Sequence, residues 1–199
     1  MSTKIFLSKL KLFYKSNLSF SVLSIIFVAS FALSPYLINI KMIYGCAAAA
    51  WNFVVSLSKG NIIPLFFLIF VVELIAILFI YLSGLSLSGF AVTYIFVFVI
   101  GAFFGIFSGY CYSALGFNGF IYCVVNMYPS VLVFSIALLF ASREAFVFSK
   151  MIGKAFSPTN KYNFYNDFKL YSIRFLIFVC MIVASALLYT ITIKYTRII

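Results

Sequence analysis

For acid–base chemistry the 199-residue chain offers three carboxylates, Glu73, Glu144 and Asp167, and no histidine. That combination removes the usual general base, most metal sites and any Ser-His-Asp or Cys-His arrangement. The four cysteines, Cys46, Cys111, Cys123 and Cys180, are scattered through apolar segments without a CxxC pair. They read as small buried hydrophobes rather than a disulfide framework. No glycine-rich phosphate loop is present, so nucleotide chemistry would have to come from a partner. The expectation is a protein that is not an enzyme, with no catalytic residue, metal site or cofactor. Two polar residues inside apolar runs remain as candidates, Glu73 and Asn126. An ionisable group at membrane depth is expensive and functional by default. The alternative is a protonated Glu73 hydrogen-bonded to a hydroxyl or carbonyl, fixing helix packing. No intramembrane Lys, Arg or His stands opposite it to complete a relay.

The elements that must hold these residues are apolar helices. Hydrophobic residues make up 66% of the chain and charged ones 9%, too little polar surface to cover a water-soluble core of this length. The solvent for most of the chain is therefore lipid. The sequence predicts an all-α polytopic membrane helix bundle forming a single integral domain over residues 1–199. Five transmembrane helices are expected, at about 18–40, 62–82, 90–112, 120–141 and 171–193, each long enough to cross ~30 Å of hydrocarbon. A signal peptide is the rival reading of the first, with Ser30-Phe-Ala32 as a passable cleavage site. The apolar run continues beyond it to Ile40, which favours an uncleaved anchor.

Within the third span, Gly101, Gly105 and Gly109 recur every fourth residue, which places them on one helical face. The result is a groove without side chains, flanked by aromatics. Such a groove lets another helix backbone approach closely where packing drives association. Whether that helix belongs to the same chain or to a partner is open at this stage. Gly84-Leu-Ser-Leu-Ser-Gly89 reads as a tight turn whose hydroxyls satisfy freed backbone groups. Gly116 and Gly119 supply backbone freedom in a second turn, where Asn118 can cap the next helix. Pro129, after Asn126-Met-Tyr, should kink the fourth span.

The net charge of +11 lies beside the apolar spans, which argues for topology and anionic lipid contact rather than nucleic acid. Met1–Asn17, with Lys4, Lys11 and Lys15 on one face, reads as a basic amphipathic helix on the membrane surface. Arg143–Lys169 reads as a second amphipathic helix on the inner leaflet, ended by Ser157-Pro158-Thr159-Asn160. Lys41–Asn61 is short for a span. It is expected as an outer interfacial or re-entrant segment anchored by Trp51. The positive-inside rule then puts the N-terminus in the cytoplasm and the C-terminus outside.

The stretch from Gly84 to Ile152 resembles the stage II sporulation protein M family of endospore-forming bacteria. The resemblance is carried by Gly84-x-Ser86-x-x-Gly89, by Gly101-x-x-x-Gly105-x-x-x-Gly109 followed by Tyr110, and by Gly116-x-x-Gly119-Phe120. Pro129 follows ten residues after Gly119, and Phe148-Ser149-x-Met151 lies behind it. The segment Lys41–Asn61 departs from the family, being shorter and more apolar. The resemblance implies a bacterial plasma-membrane scaffold needed for engulfment. Such a scaffold gathers peptidoglycan-degrading enzymes, the stage II sporulation proteins D and P, on the outer face. It also implies that Gly101, Gly105, Gly109, Gly116, Gly119 and Pro129 form the shared structural core, with no catalytic residue to transfer. The alternative function is a small-molecule permease or a transporter's membrane subunit, with Glu73 and the Asn126–Pro129 break lining a path.

Overall fold

A computed structural model describes residues 2–58, 60, 62–155 and 164–196. Among them the chain is all-α, with no strand. The helices are α1 (Ser2–Leu33), α2 (Lys41–Ser58), α3 (Ile62–Gly84), α4 (Gly89–Leu115), α5 (Phe117–Tyr122), α6 (Tyr128–Ala155) and α7 (Phe164–Thr196). A 3-10 turn, Ser34–Asn39, follows α1, and a π-helical turn, Cys123–Met127, joins α5 to α6. Five stretches are long and apolar enough to cross a membrane: Leu18–Asn39, Ile62–Gly84, Ala91–Leu115, Phe117–Ile152 and Asn166–Tyr195. This is a multi-pass membrane protein, and lipid is the solvent for its outer face. Large apolar side chains such as Ile25, Phe67, Ile95 and Leu176 are more than half exposed on these helices, as hydrocarbon requires.

The glycine groove is filled from within the chain. A Cβ at Gly101 would lie 2.8 Å from the Phe27 carbonyl, and one at Gly109 would lie 2.9 Å from Pro35 Cα. At Gly105 a Cβ would collide with the Phe31 carbonyl and the Ser34 hydroxyl. Residue numbers rise together along both helices, so α1 and α4 pack parallel, with backbone against backbone over two turns. Ser30 and Ser34 make this possible by turning their hydroxyls back onto their own helix. Ser30 donates to the Phe27 carbonyl (2.9 Å) and Ser34 to the Phe31 carbonyl (3.3 Å). Each hydroxyl is thereby satisfied without protruding, and α1 presents a small-residue stripe to the glycines.

The remaining helices close around α6. Phe134, Leu138, Ala141 and Ala145 of α6 are buried in one apolar cluster with Leu23 of α1, Ile77 and Ile80 of α3, Val97 of α4 and Ile182 of α7. At one end of the bundle the α3–α4 turn is tied down as its hydroxyls foretell. Ser86 donates to the Ser83 carbonyl (2.9 Å), and Ser149 of α6 donates to the Ser86 carbonyl (2.7 Å). Gly84 sits against Ala145, leaving 2.9 Å between a Cβ there and the Ala145 Cα. Tyr171 completes this end, its ring 4.3 Å from that of Phe148 and its hydroxyl donating to the Tyr81 carbonyl (2.9 Å). α1 begins at this end and α7 finishes at the opposite one, as five crossings demand.

Several expectations change at closer range. Arg143–Ala155 is helical, but as the uninterrupted continuation of α6 rather than a separate surface helix, because Ala145, Phe148 and Ile152 are buried against neighbouring helices. Trp51 is no interfacial anchor. It is 7% exposed, packed edge-on against Tyr122 with 4.8 Å between ring centres, so it docks α2 onto the bundle. α2 is not one of the five candidate spans. Asn118 does not cap α5. Gly116, at φ +56°, precedes that helix without a side-chain cap, and Asn118 lies inside it. Gly119 serves close approach, since a Cβ there would strike the Cys111 carbonyl. The side-chain facing of Lys4, Lys11 and Lys15, and the turn expected at 157–160, lie outside the described side chains and residues.

Candidate functional site

α3 is apolar on every side, so nothing in its own sequence sets the facing of Glu73; packing against α6 and α7 does. Glu73 is 5% exposed, and its Oε1 accepts a hydrogen bond from Ser185 Oγ of α7 (2.8 Å). The same hydroxyl lies 3.0 Å from the Ser130 carbonyl of α6, so Ser185 links three helices at one point. Glu73 Oε2 is buried and has no hydrogen-bond partner. An unsatisfied polar atom in such surroundings costs roughly 1–3 kcal/mol.

Glu73 lines a cavity of about 290 Å³ bounded by α2, α3, α4, α6 and α7. Ser130 and Met127 of the α6 side, Tyr189 of α7 and Phe104 of α4 also line it. Phe53, Val72 and Phe103 line it as well and are each more than half exposed, so the cavity is a crevice open to the lipid side of the bundle. Its walls are almost entirely apolar, and among the described residues Glu73 is the one acidic group lining it.

The fourth span is irregular beside this crevice. The irregularity is a π-helical turn over Cys123–Met127, and Pro129 follows it as the second residue of α6. The extra residue in the π turn shifts the hydrogen-bond register just before the residue that has no N–H. The Tyr128 N–H reaches back five residues to the Cys123 carbonyl. The π turn therefore adjoins the proline, and both are features that bend a helix. Asn126 lies in this turn, 1% exposed, and its carbonyl is 3.5 Å from Thr192 Oγ1 of α7. The Asn126 backbone and the Glu73 side chain thus both contact α7. Met127 of the π turn, not Asn126, lines the crevice.

Between the crevice and the end bearing α2, Tyr122 and Tyr189 share a hydrogen bond of 2.6 Å, buried among Cys111, Cys123 and Trp51. At the opposite end, Arg174 forms an ion pair with Glu144. Among the described residues no group of His, Cys, Asp or Glu is arranged to hold a metal ion.

Gly101, Gly105 and Gly109 face α1; Gly116 and Gly119 form the α4–α5 corner; Pro129 opens α6. The structure does not gather them with Glu73. They set the frame around it. The residues that sequence reading overlooked are Ser185 and the Tyr122–Tyr189 pair. A hydroxyl in an apolar span is common, and only three-dimensional proximity singles out Ser185. For the glycine partner a signal was present: Ser30 and Ser34 are small residues four apart, complementary to the ladder. No protein family, no curated protein and no solved structure matches this chain.

Proposed function

We propose that the chain is a non-enzymatic scaffold of a bacterial plasma membrane, similar to the stage II sporulation protein M family. In this reading it gathers peptidoglycan-degrading enzymes, counterparts of the stage II sporulation proteins D and P, as membrane migrates during endospore formation. One observation supports it above others. Of the seven glycines that carry the resemblance, six (Gly84, Gly89, Gly101, Gly105, Gly109 and Gly119) stand where a Cβ would meet backbone of another turn or helix. The seventh, Gly116, has nothing within 4 Å of a Cβ but sits at φ +56°, which favours glycine. What the chain shares with that family is thus a rigid frame with no reactive group in it. The glycine groove is occupied by α1, so partners would dock elsewhere. The end carrying α2 is the proposed outer face, with Tyr36 and Met42 exposed on it. That orientation leaves the start of α1 in the cytoplasm with Arg143 and Lys150, as the positive-inside rule prefers.

Affinity capture of the tagged full chain from sporulating cells is expected to enrich wall-degrading enzymes, and a deletion strain is expected to stall in engulfment. Capture without any wall hydrolase, together with normal engulfment, rejects the proposal.

Glu73 favours a second reading, the permease or transporter subunit, because an unpartnered carboxyl oxygen lies beside the irregular turn of α6. There, reconstituted vesicles should lose flux in Glu73→Gln. Flux indifferent to that change removes the motive for this reading.

A further inference from the structure

The geometry points to the crevice between α3 and α4 as a binding site for a hydrophobic cation, received from the bilayer and held by the free oxygen of Glu73. Three observations carry this. First, the space exists and opens sideways: about 290 Å³ lie between five helices, and Phe53, Val72 and Phe103 at its mouth are exposed to lipid. At about 30 Å³ for each water-sized group, the crevice takes a compact ligand of roughly ten such groups in its enclosed part. Ligand pockets begin near that size.

Second, one polar group is placed there with an unfilled valence for a positive partner. Ser185 occupies Oε1, while Oε2 is buried and unpartnered. The protein supplies no cation. Among the described residues no Lys or Arg lines the crevice, although the chain carries 14 of them. A buried acidic group in hydrocarbon is normally paired, and here the pairing is left to a visitor.

Third, the walls suit a cation with an apolar body. Phe53, Phe103, Phe104, Phe107, Phe134 and Tyr189 line the space, and aromatic faces attract cations that have left water. A neutral alcohol would satisfy Oε2 equally well but would gain nothing from the rings. The site requires no transport path, so it stands independently of both functional readings above.

The test uses the purified full chain in nanodiscs of zwitterionic phosphatidylcholine, with radiolabelled 2-phenylethylammonium, a cation small enough for the enclosed space, as the probe. Trp51, the single tryptophan, provides a second readout because its ring lies 6.1 Å from that of Phe107 in the crevice wall. Saturable binding that quenches Trp51 is expected. Glu73→Gln should weaken it about tenfold or more, and Glu73→Asp should retain part of it. Ala50→Phe, which narrows the crevice and keeps the carboxyl, should block it too. Should Glu73→Gln fail to fold, the Ala50→Phe protein decides alone. Binding that does not saturate, or that survives both changes, overturns the proposal. So does displacement of the probe by neutral 2-phenylethanol at the same concentration as by unlabelled cation.

Discussion

Gly105→Ala is expected to lower the melting temperature of the purified protein by about 4–8 °C, and Gly105→Leu to prevent a folded bundle from being recovered at all. The reason is the identity of the obstacle. At Gly105 the new Cβ meets the Phe31 carbonyl, which is main chain, as well as the Ser34 hydroxyl. A side chain could rotate away, but a main-chain carbonyl in the last turn of α1 moves only if the two helices separate. Overpacking of this kind costs about 1–3 kcal/mol for one carbon and more for a branched side chain, and for a chain of this size each kcal/mol shifts the midpoint by about 2–4 °C. Ser34→Gly should therefore fail to rescue Gly105→Ala, since the backbone contact remains. Gly45→Ala is the internal control. It too is a helical glycine, but nothing lies within 4 Å of its missing Cβ. Removing a helix-interior glycine there should stabilise by about 0.5–1 kcal/mol. Circular dichroism melts in mild detergent measure all four proteins. A Gly105→Ala melt matching the wild type would mean that α1 does not occupy the groove.

The ladder shows how much of the architecture is legible before any coordinates. Spans are visible because hydrocarbon demands long uncharged stretches, and the expected limits fall close to the helices observed at Leu18–Asn39 and Ile62–Gly84. Facing is the harder problem. In water, periodicity tells which side of a helix is inside. Within lipid both sides of α3 are apolar, and nothing in Ile62–Gly84 distinguishes buried Ile77 from exposed Leu78. Glycine breaks this degeneracy because a missing side chain makes sense only at a contact. The groove could therefore be read from the sequence. Ser30 and Ser34, four apart in the first span, carry a matching signal for its partner that becomes specific only once the two helices are seen together. Trp51 misleads for a related reason: interfacial tryptophan is the common case, and only the position of Tyr122 reveals that this one is buried. Pro129 marks the irregular stretch, but the π turn beside it leaves no mark in the residue types of Cys123–Met127. Glu73 was legible as an anomaly, whereas the pairing of one of its oxygens with Ser185 was not.

That half-satisfied state predicts that Glu73→Leu will raise the melting temperature by about 3–6 °C, a gain of about 1–2 kcal/mol. The substitution removes a buried carboxyl oxygen that has no partner, and a group left so costs roughly 1–3 kcal/mol. It also removes the hydrogen bond from Ser185, worth about 0.5–1.5 kcal/mol net. Ser185 is not orphaned by the change, because the Ser130 carbonyl remains within 3.0 Å as an acceptor. A leucine in this nearly dry crevice adds apolar contact with Phe104 and Met127, which line the same space. The balance favours the apolar residue, as it does when buried ionic groups elsewhere are exchanged for hydrophobic ones of similar size. The sign of the effect separates the two roles open to this carboxyl. If Glu73 is a packing element, its loss must destabilise, and the Leu variant will melt below the wild type. If it is kept for a ligand, the empty protein becomes more stable without it while cation binding disappears, the pattern expected of a site that sacrifices stability for function. Melting curves of the two proteins, with and without 2-phenylethylammonium, separate these outcomes directly, because only the wild type should gain stability from the cation.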